Sequence, residues 1–282
     1  MKTVVQSVSL TVTSLLAFSI GATAAAQAVD VTGVGPNKVE AVATLPSGQG
    51  ADLTISFEAA SGLTGEALGI SVAAIEPFDP RILSRLPASS PGSITPAGGL
   101  PLLITVAPDE GFSFDGLAEV ELYTKDLHFT AGSPLRMFKA EDGGAFRDIT
   151  TLNAGGSYRS RGSTGKFSEF VIVSDLRAPA IVLAEKAARL DALIADARDA
   201  GGDALAGSLA GDLAAARAAA ADGRYDDAVE AADALADRAE AAGTDGTLPN
   251  TYAPDGPENL AGQLRAEALT LRFTLTLAAN GF

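Results

Sequence analysis

The sequence predicts a two-domain α+β chain with its two kinds of structure segregated. An N-terminal antiparallel β-sandwich of Greek-key type is followed by an alanine-rich bundle of about four helices. Three observations predict this. Up to about residue 177, short apolar runs, many of them alternating, are separated by Gly-, Pro-, Asn- and Ser-rich turn signals. Beyond it alanine dominates, with 33 in residues 178–282, and apolar residues recur every three or four positions. Pro179, inside "RAPA", marks the junction, because proline suits the first turn of a helix.

The N-terminus reads as a processing segment. Lys2 gives a positive start, an uncharged and mostly apolar run follows, and Ala26-Gln27-Ala28 fits an A-x-A cleavage site. The expected layout is a signal peptide over 1–28, a sandwich domain over 29–177 and a helical domain over 178–282. A retained membrane anchor is the competing reading of the first segment. Export through the secretory pathway, to the periplasm, the cell surface or outside, is the expectation.

The strands follow in order. "KVEAVATL", "ADLTISFE", "LGISVAAI", "LPLLITVA", "LAEVELYT", "PLRMFKA", "AFRDIT", "GSYRSR" and "KFSEFVIVS" show alternation or a β-branched and aromatic bias. "PSGQG", "SGLTG", "PAGG", "PDEG", "EDGG", "NAGG" and "GSTG" are the turns between them. "KFSEFVIVS" is apolar on both faces, as a central strand requires. Residues 77–96, rich in proline, are expected to form a surface connection with one short turn of helix.

The helices come next. Leu183, Ala187, Leu190, Ile194 and Ala197 make one stripe, stopped by Gly201 and Gly202. Asp203 can cap a second helix, with Leu205, Leu209, Leu213, Ala216 and Ala220 on one face. A third spans about 225–242. Asp255 with Glu258 resembles a capping box before a fourth. Within that fourth, "LTLRFTLTL" alternates as a strand would, and with Phe282 it resembles the last strand of an outer-membrane barrel. Leu260, Leu264, Ala268, Leu271, Leu275 and Ala278 also form a helical stripe. The helix is the favoured reading, and the strand remains the alternative.

Three resemblances stand on these residues. Gly223, Tyr225 and Ala228 resemble the G-x-Y-x-x-A corner of tetratricopeptide repeats, but no 34-residue period follows. The layout of 183–278, with "GDALAGSLAGDLAAA" as second helix, resembles the FIMAH-type bundle at the C-termini of secreted bacterial proteins. It departs from that family in lacking the Phe-Ile pair of the third helix. Asp148-Ile149-Thr150 and Gly165-Lys166-Phe167-Ser168-Glu169-Phe170 resemble the D-[IV]-T and G-x-F-S-x-[FY] signatures of β-sandwich domains in uncharacterised secreted proteins. Together they imply an uncharacterised secreted bacterial family, a domain of unknown function with a sandwich before a bundle.

Composition excludes some chemistry. With no cysteine, disulfides, a lipobox lipid, thiol catalysis and cysteine-based zinc sites are all excluded. The net charge is −15, with 11 basic against 18 acidic residues over 29–177 and 8 against 17 over 178–282. No basic patch exists, so nucleic-acid binding is not expected. No stretch after the first thirty residues is long enough to span a membrane.

The candidate catalytic residues are few. Glu119 and Glu121 share one strand face about 7 Å apart, within the range of paired glycosidase carboxylates. The competing reading makes them the wet face of an outer strand. His128 is the lone histidine, and any Ser–His–acid triad would have to be built on it, with Ser133 nearby. "AEDGG" in "GSPLRMFKAEDGGAFRDIT" is either an acidic ligand loop or a hairpin turn. Asp142-Gly143-Gly144 supplies turn chemistry, and two acids make a poor calcium site, so the hairpin is expected. No cofactor and no metal site is expected. The expected function is that of an exported, non-enzymatic interaction or scaffold module. A glycan-binding or hydrolytic accessory using surface carboxylates is one alternative, and an outer-membrane-associated protein acting through its C-terminal segment is another.

Overall fold

Alternating burial organises the first half. The computed structural model describes residues 27–282 apart from Ser89, Pro91, Asp142 and the side chain of Ala28. The expected signal peptide 1–28 therefore lies almost wholly outside the described residues. In β3 (Lys38–Thr44), β4 (Gly50–Ser61) and β8 (Ser113–Thr124), Val39, Leu53, Ile55, Val120 and Leu122 are buried between more exposed neighbours. These strands pair antiparallel and continue into β2 (Asp30–Gly35) on one side. On the other lie β12 (Tyr158–Thr164) and β11 (Thr150–Ala154). A two-residue strand from the second half, β14 (Thr251–Tyr252), pairs with β8 as the seventh member.

A second antiparallel seven-stranded sheet has the order β1 (Gln27–Ala28), β5 (Ile70–Ala74), β7 (Leu102–Val106), β13 (Glu169–Asp175), β9 (Leu135–Ala140), β10 (Arg147–Asp148). β6 (Ile94–Pro96) also pairs with β13. Cleavage after Ala28 would remove β1 from this sheet. One core draws side chains from both sheets, Ile55 and Val120 from the first and Ile104, Phe170 and Ile172 from the second. Phe57, Phe112, Phe114, Phe167 and Tyr252 cluster within it, with ring centroids 5.1–6.4 Å apart in edge-on or tilted pairs.

β13 lies inside its sheet and is buried on both faces, as its sequence requires. Phe170 and Ile172 enter the shared core, while Val171 and Val173 join Phe138, Ile82 and Ile94 on the opposite face. That second cluster corrects the expectation for 77–96. The segment does contain a short helix, α1 (Pro80–Leu83), but it is no mere surface connection. Ile82 and Ile94 hold it against the sheet, and it supplies β6.

Two more corrections concern strand ends. "GSTG" was expected as a turn, yet β12 runs on to Thr164 and pairs there with Ala118. Glycine suits position 162 in that run, because a Cβ would crowd Ile149, lying 2.5 Å from its Cδ1 and 3.0 Å from its carbonyl oxygen. "AFRDIT" is not one strand. Asp148 pairs with Phe138 in one sheet and Thr150 with Gly162 in the other, so the chain changes sheets at Ile149. β9 and β10 form the expected hairpin around "AEDGG", with Gly143 at φ +75°.

The second half is a cluster of four helices: α2 (Pro179–Gly201), α3 (Asp203–Ala221), α4 (Tyr225–Thr244) and α5 (Leu260–Ala279). Gly202, at φ +86°, ends α2 as expected. The caps differ from expectation. Gly202, not Asp203, precedes α3, and Asp203 instead pairs with Arg198 at 3.2 Å. Asn259, not Asp255, caps α5. Its Oδ1 accepts from Gly262 N at 2.9 Å, and its Nδ2 donates to Gly116 O at 2.8 Å, which ties the helix end to β8. α5 packs against α2 and α4, while α3 packs against both of those from outside.

"LTLRFTLTL" is therefore helical, and the strand on which the outer-membrane reading rested is absent. The alternation has a different cause. α5 carries two buried stripes. Leu260, Leu264, Ala268, Leu271 and Leu275 face the helices, and Gln263, Glu267, Thr270 and Thr274 form a buried polar stripe. Leu269, Phe273 and Leu277, which complete the alternation, lie outside both stripes and are only half-buried, so the alternate spacing does not mark one buried face. Among the described residues no helix is long and apolar enough to cross a membrane.

Candidate functional site

Glu119 and Glu121 share the face of β8 that points away from the core. They lie beside Lys38, Glu40, Thr54 and Ser56, with Arg159 and Arg161 of β12 opposite. Register sets the contacts, since Arg161 pairs with Glu121 and Ser163 with Glu119 across the strands. Arg159 Nη1 lies 2.5 Å from Glu121 Oε1 and Arg161 Nη2 2.8 Å from Oε2, while Arg161 Nη1 lies 3.6 Å from Glu119 Oε2. The hydrogen bond to Glu121 raises the pKa of Arg161 above its ordinary value. Both glutamates are thus engaged by arginines on a strand face.

His128 is exposed in the segment that follows β8. Ser133 is buried, and its hydroxyl accepts from Leu135 N at 3.3 Å. The hairpin loop holds a different surprise. Asp142 lies outside the described residues, but Glu141 is the hub of a charge cluster that no motif announced.

That cluster is built where β9 and β10 meet α5. Lys139 on β9 is fully buried. Its Nζ lies 2.9 Å from Glu141 Oε1 and donates to Thr164 Oγ1 at 2.6 Å. Arg147 bridges two acids, Glu141 at 2.5 Å and Glu267 of α5 at 2.9 Å. One residue on, Asp148 turns to the adjacent pocket and meets Lys186 of α2 at 2.8 Å. Lys186 Nζ also donates to Thr270 O at 3.0 Å and to its hydroxyl, and Thr150 N donates to Asp148 Oδ1 at 2.9 Å. Adjacent residues of a two-residue strand thus address two different helices.

Burial dominates the electrostatics. It lowers the Lys139 pKa from its ordinary 10.5 to about 7, with the Arg147 charge acting the same way and Glu141 only partly opposing. Burial alone would raise Glu141, but the charges of Lys139 and Arg147 outweigh it and hold the carboxyl well below its usual range. Burial likewise opposes ionisation of Asp148, and Lys186 and Thr150 reverse that, so its pKa also falls. Lys186 is lowered, by burial first. The Tyr158 hydroxyl, buried and donating to Asn153 Oδ1 at 3.2 Å, is pushed up by burial.

This arrangement is suited to holding helices on sheets. Each of the six charges has an opposite partner, and Lys139, Asp148, Lys186 and Glu267 are all buried. Among the described residues no group of three or more histidine or acidic side chains is placed to hold a metal ion. Two signals for the cluster were present in the sequence. Lys139 follows Leu135 and Met137 at the alternate positions of β9, and Lys186 and Glu267 stand at helical spacing from buried residues.

The family model for a family of unknown function, DUF6689, matches residues 12–279, through both sheets and all four helices of the second half. The chain belongs to that family. DUF6689 thus spans the β-rich and helical parts together, and the likeness of 183–278 to FIMAH-type bundles forms no part of this match. Neither the curated proteins nor the solved structures give a match to the chain.

Proposed function

We propose that the chain is an exported, non-enzymatic protein that works through protein or envelope contacts, as a scaffold or adhesion-type module. In this reading residues 1–28 are a cleaved signal peptide. Residues 29–177 form a Greek-key sandwich and 178–282 a helical bundle docked on it. The support comes from where the ionisable groups are used. Lys139, Glu141, Arg147, Asp148, Lys186 and Glu267 are tied to one another across the junction. Glu58 on β4 adds a further tie, lying 2.5 Å from Arg265 of α5. These groups serve cohesion. The outward face of β3, β4, β8 and β12 presents paired charges and hydroxyls to solvent, which suits contact more than acid–base chemistry.

The accessory-hydrolase reading needs a carboxylate available for proton transfer, and the engagement of Glu119 and Glu121 by Arg159 and Arg161 weighs against it. Two measurements test the proposal. The full chain is produced in a bacterial host, fractionated and sequenced from its N-terminus; export with cleavage after Ala28 is expected, and an intact cytoplasmic chain overturns the export reading. It is then assayed on chromogenic glycosides and esters. Turnover that is lost in Glu119→Gln or Glu121→Gln overturns the non-enzymatic reading.

A further inference from the structure

A cleft of about 200 Å³ opens where the start of β9, the end of β13, the first turn of α2 and the end of α5 converge. Its walls include Leu176, Pro179, Val182, Leu277 and Phe282, and Arg136 lies among them. Leu176 is 65% exposed and Phe282 49%, so the apolar rim faces solvent. Large apolar side chains left this open around a concavity mark a binding surface more often than chance placement.

The charges at the cleft are unequal. Asp148 is neutralised by Lys186, and Asp175 by Arg177 at 2.7 Å, with Glu185 on the far side of the same guanidinium at 2.5 Å. Arg136 forms no ion pair with any described residue. It is nonetheless held in place. Nη1 donates to Ser133 O at 2.6 Å and to Leu135 O at 2.7 Å, and the guanidinium lies 5.5 Å from the Phe273 ring centroid. The edge formed by Nε and Nη2 is not used by these contacts. A planar guanidinium fixed along one edge offers the other to a carboxylate, whose two oxygens match its spacing.

We propose that this cleft binds a small organic acid, with its carboxylate on Arg136 and its apolar body among Leu176, Val182, Leu277 and Phe282. The volume sets the size. A cavity of about 150 Å³ holds a benzene ring, so one aromatic ring or a short branched chain fits here. In a chain of net charge −15, a cation with no acidic partner is the feature that selects an anion. The site goes beyond the contact-module reading and stands whether or not that reading does.

The test is a nuclear magnetic resonance titration of the ¹⁵N-labelled full chain with sodium benzoate, benzyl alcohol and benzylammonium. Benzoate is expected to bind with a dissociation constant on the order of 1 mM, shifting the amides of Gly132, Leu176 and Leu277. Arg136→Gln should weaken it about tenfold or more, through loss of a charge-assisted contact. Leu176→Glu, an exposed change that leaves the core intact, should weaken benzoate severalfold and weaken benzyl alcohol less, because the new carboxylate repels only the anion; it decides the matter if Arg136→Gln does not fold. Equal affinity for the alcohol, no saturable shift, shifts confined to Arg159 and Arg161, or wild-type binding by Leu176→Glu would overturn the proposal.

Discussion

Replacing the Asp148–Lys186 pair one partner at a time should reveal how firmly the helices are anchored to the sheets. The two side chains are 3% and 5% exposed, and their charged atoms are 2.8 Å apart. At an effective dielectric constant near 20 their gross attraction is about 6 kcal/mol, most of it offset by the loss of hydration. The two terms separate in a double-mutant cycle. Asp148→Asn keeps the shape and the acceptor for Thr150 N but leaves the Lys186 ammonium buried without a counter-charge. Lys186→Met keeps the apolar stem and strands the carboxylate instead. Each single change should cost about 3–5 kcal/mol. The double variant should cost at least about 2 kcal/mol less than the sum, because neither charge is then left alone. Urea unfolding followed by circular dichroism, with a constant slope against denaturant, measures all three. Single losses under about 1 kcal/mol, or strictly additive ones, would refute the view of this pair as a buried anchor.

Other outcomes follow from the same geometry. Lys139 has its folded-state pKa lowered to about 7 against 10.5 when unfolded, so the unfolded chain binds the extra proton between those values. Its contribution should therefore make stability rise from pH 7 towards 9, and the unfolding midpoint of Lys139→Met should rise less over that window; an identical slope in both proteins would remove Lys139 as the cause. Glu141 and Asp148 are shifted down, so the stability they contribute holds above the ordinary carboxylate range and is lost on acidification below it, visible as a falling midpoint under about pH 4. Gly262→Ala should destabilise by about 1–3 kcal/mol, since its Cβ would lie 2.4 Å from Gly116 O where α5 meets β8. Gly207→Ala on α3, with open space around the added methyl, should instead stabilise by up to about 1 kcal/mol; urea unfolding checks both.

Local period was enough to read most of the secondary structure. β3, β4 and β8 carry the alternation that their half-buried faces demand, and the glycine pair at 201–202 and the turn at 143–144 act through backbone freedom that is visible in the residues themselves. What escaped the reading depends on partners distant in sequence. β14 is two residues long and exists because β12 reaches only to Ala118, leaving the second edge of β8 open at Phe114 and Asp115, which β4 pairs on the other side. The break at Ile149 depends on where two sheets diverge, and nothing in "AFRDIT" encodes it locally.

The buried charges escaped for a related reason, and they bear on what the fold is for. Lys139, Arg147, Lys186 and Glu267 each look like surface residues when taken singly, because solvation favours that placement for any lone charge. They become tolerable inside only as a set drawn from a strand, a hairpin and two helices. Such a set discriminates between arrangements: a helix rotated by one position on α5 would bring Ala266 or Ala268 to Arg147, remove Glu267 from it and leave Glu141 to serve both Arg147 and Lys139. An apolar interface of the same size would forgive that slip with a small loss of packing. The polar stripe on α5, with Glu267 as its one charge, thus acts as a register device, fixing how the helices sit on the sheets. The cleft beside Arg136 lies against the same junction, with Asp148 among its lining residues. Leu277 stands on α5 itself, so any displacement of the helix that the charge pairs resist would also move that wall of the cleft.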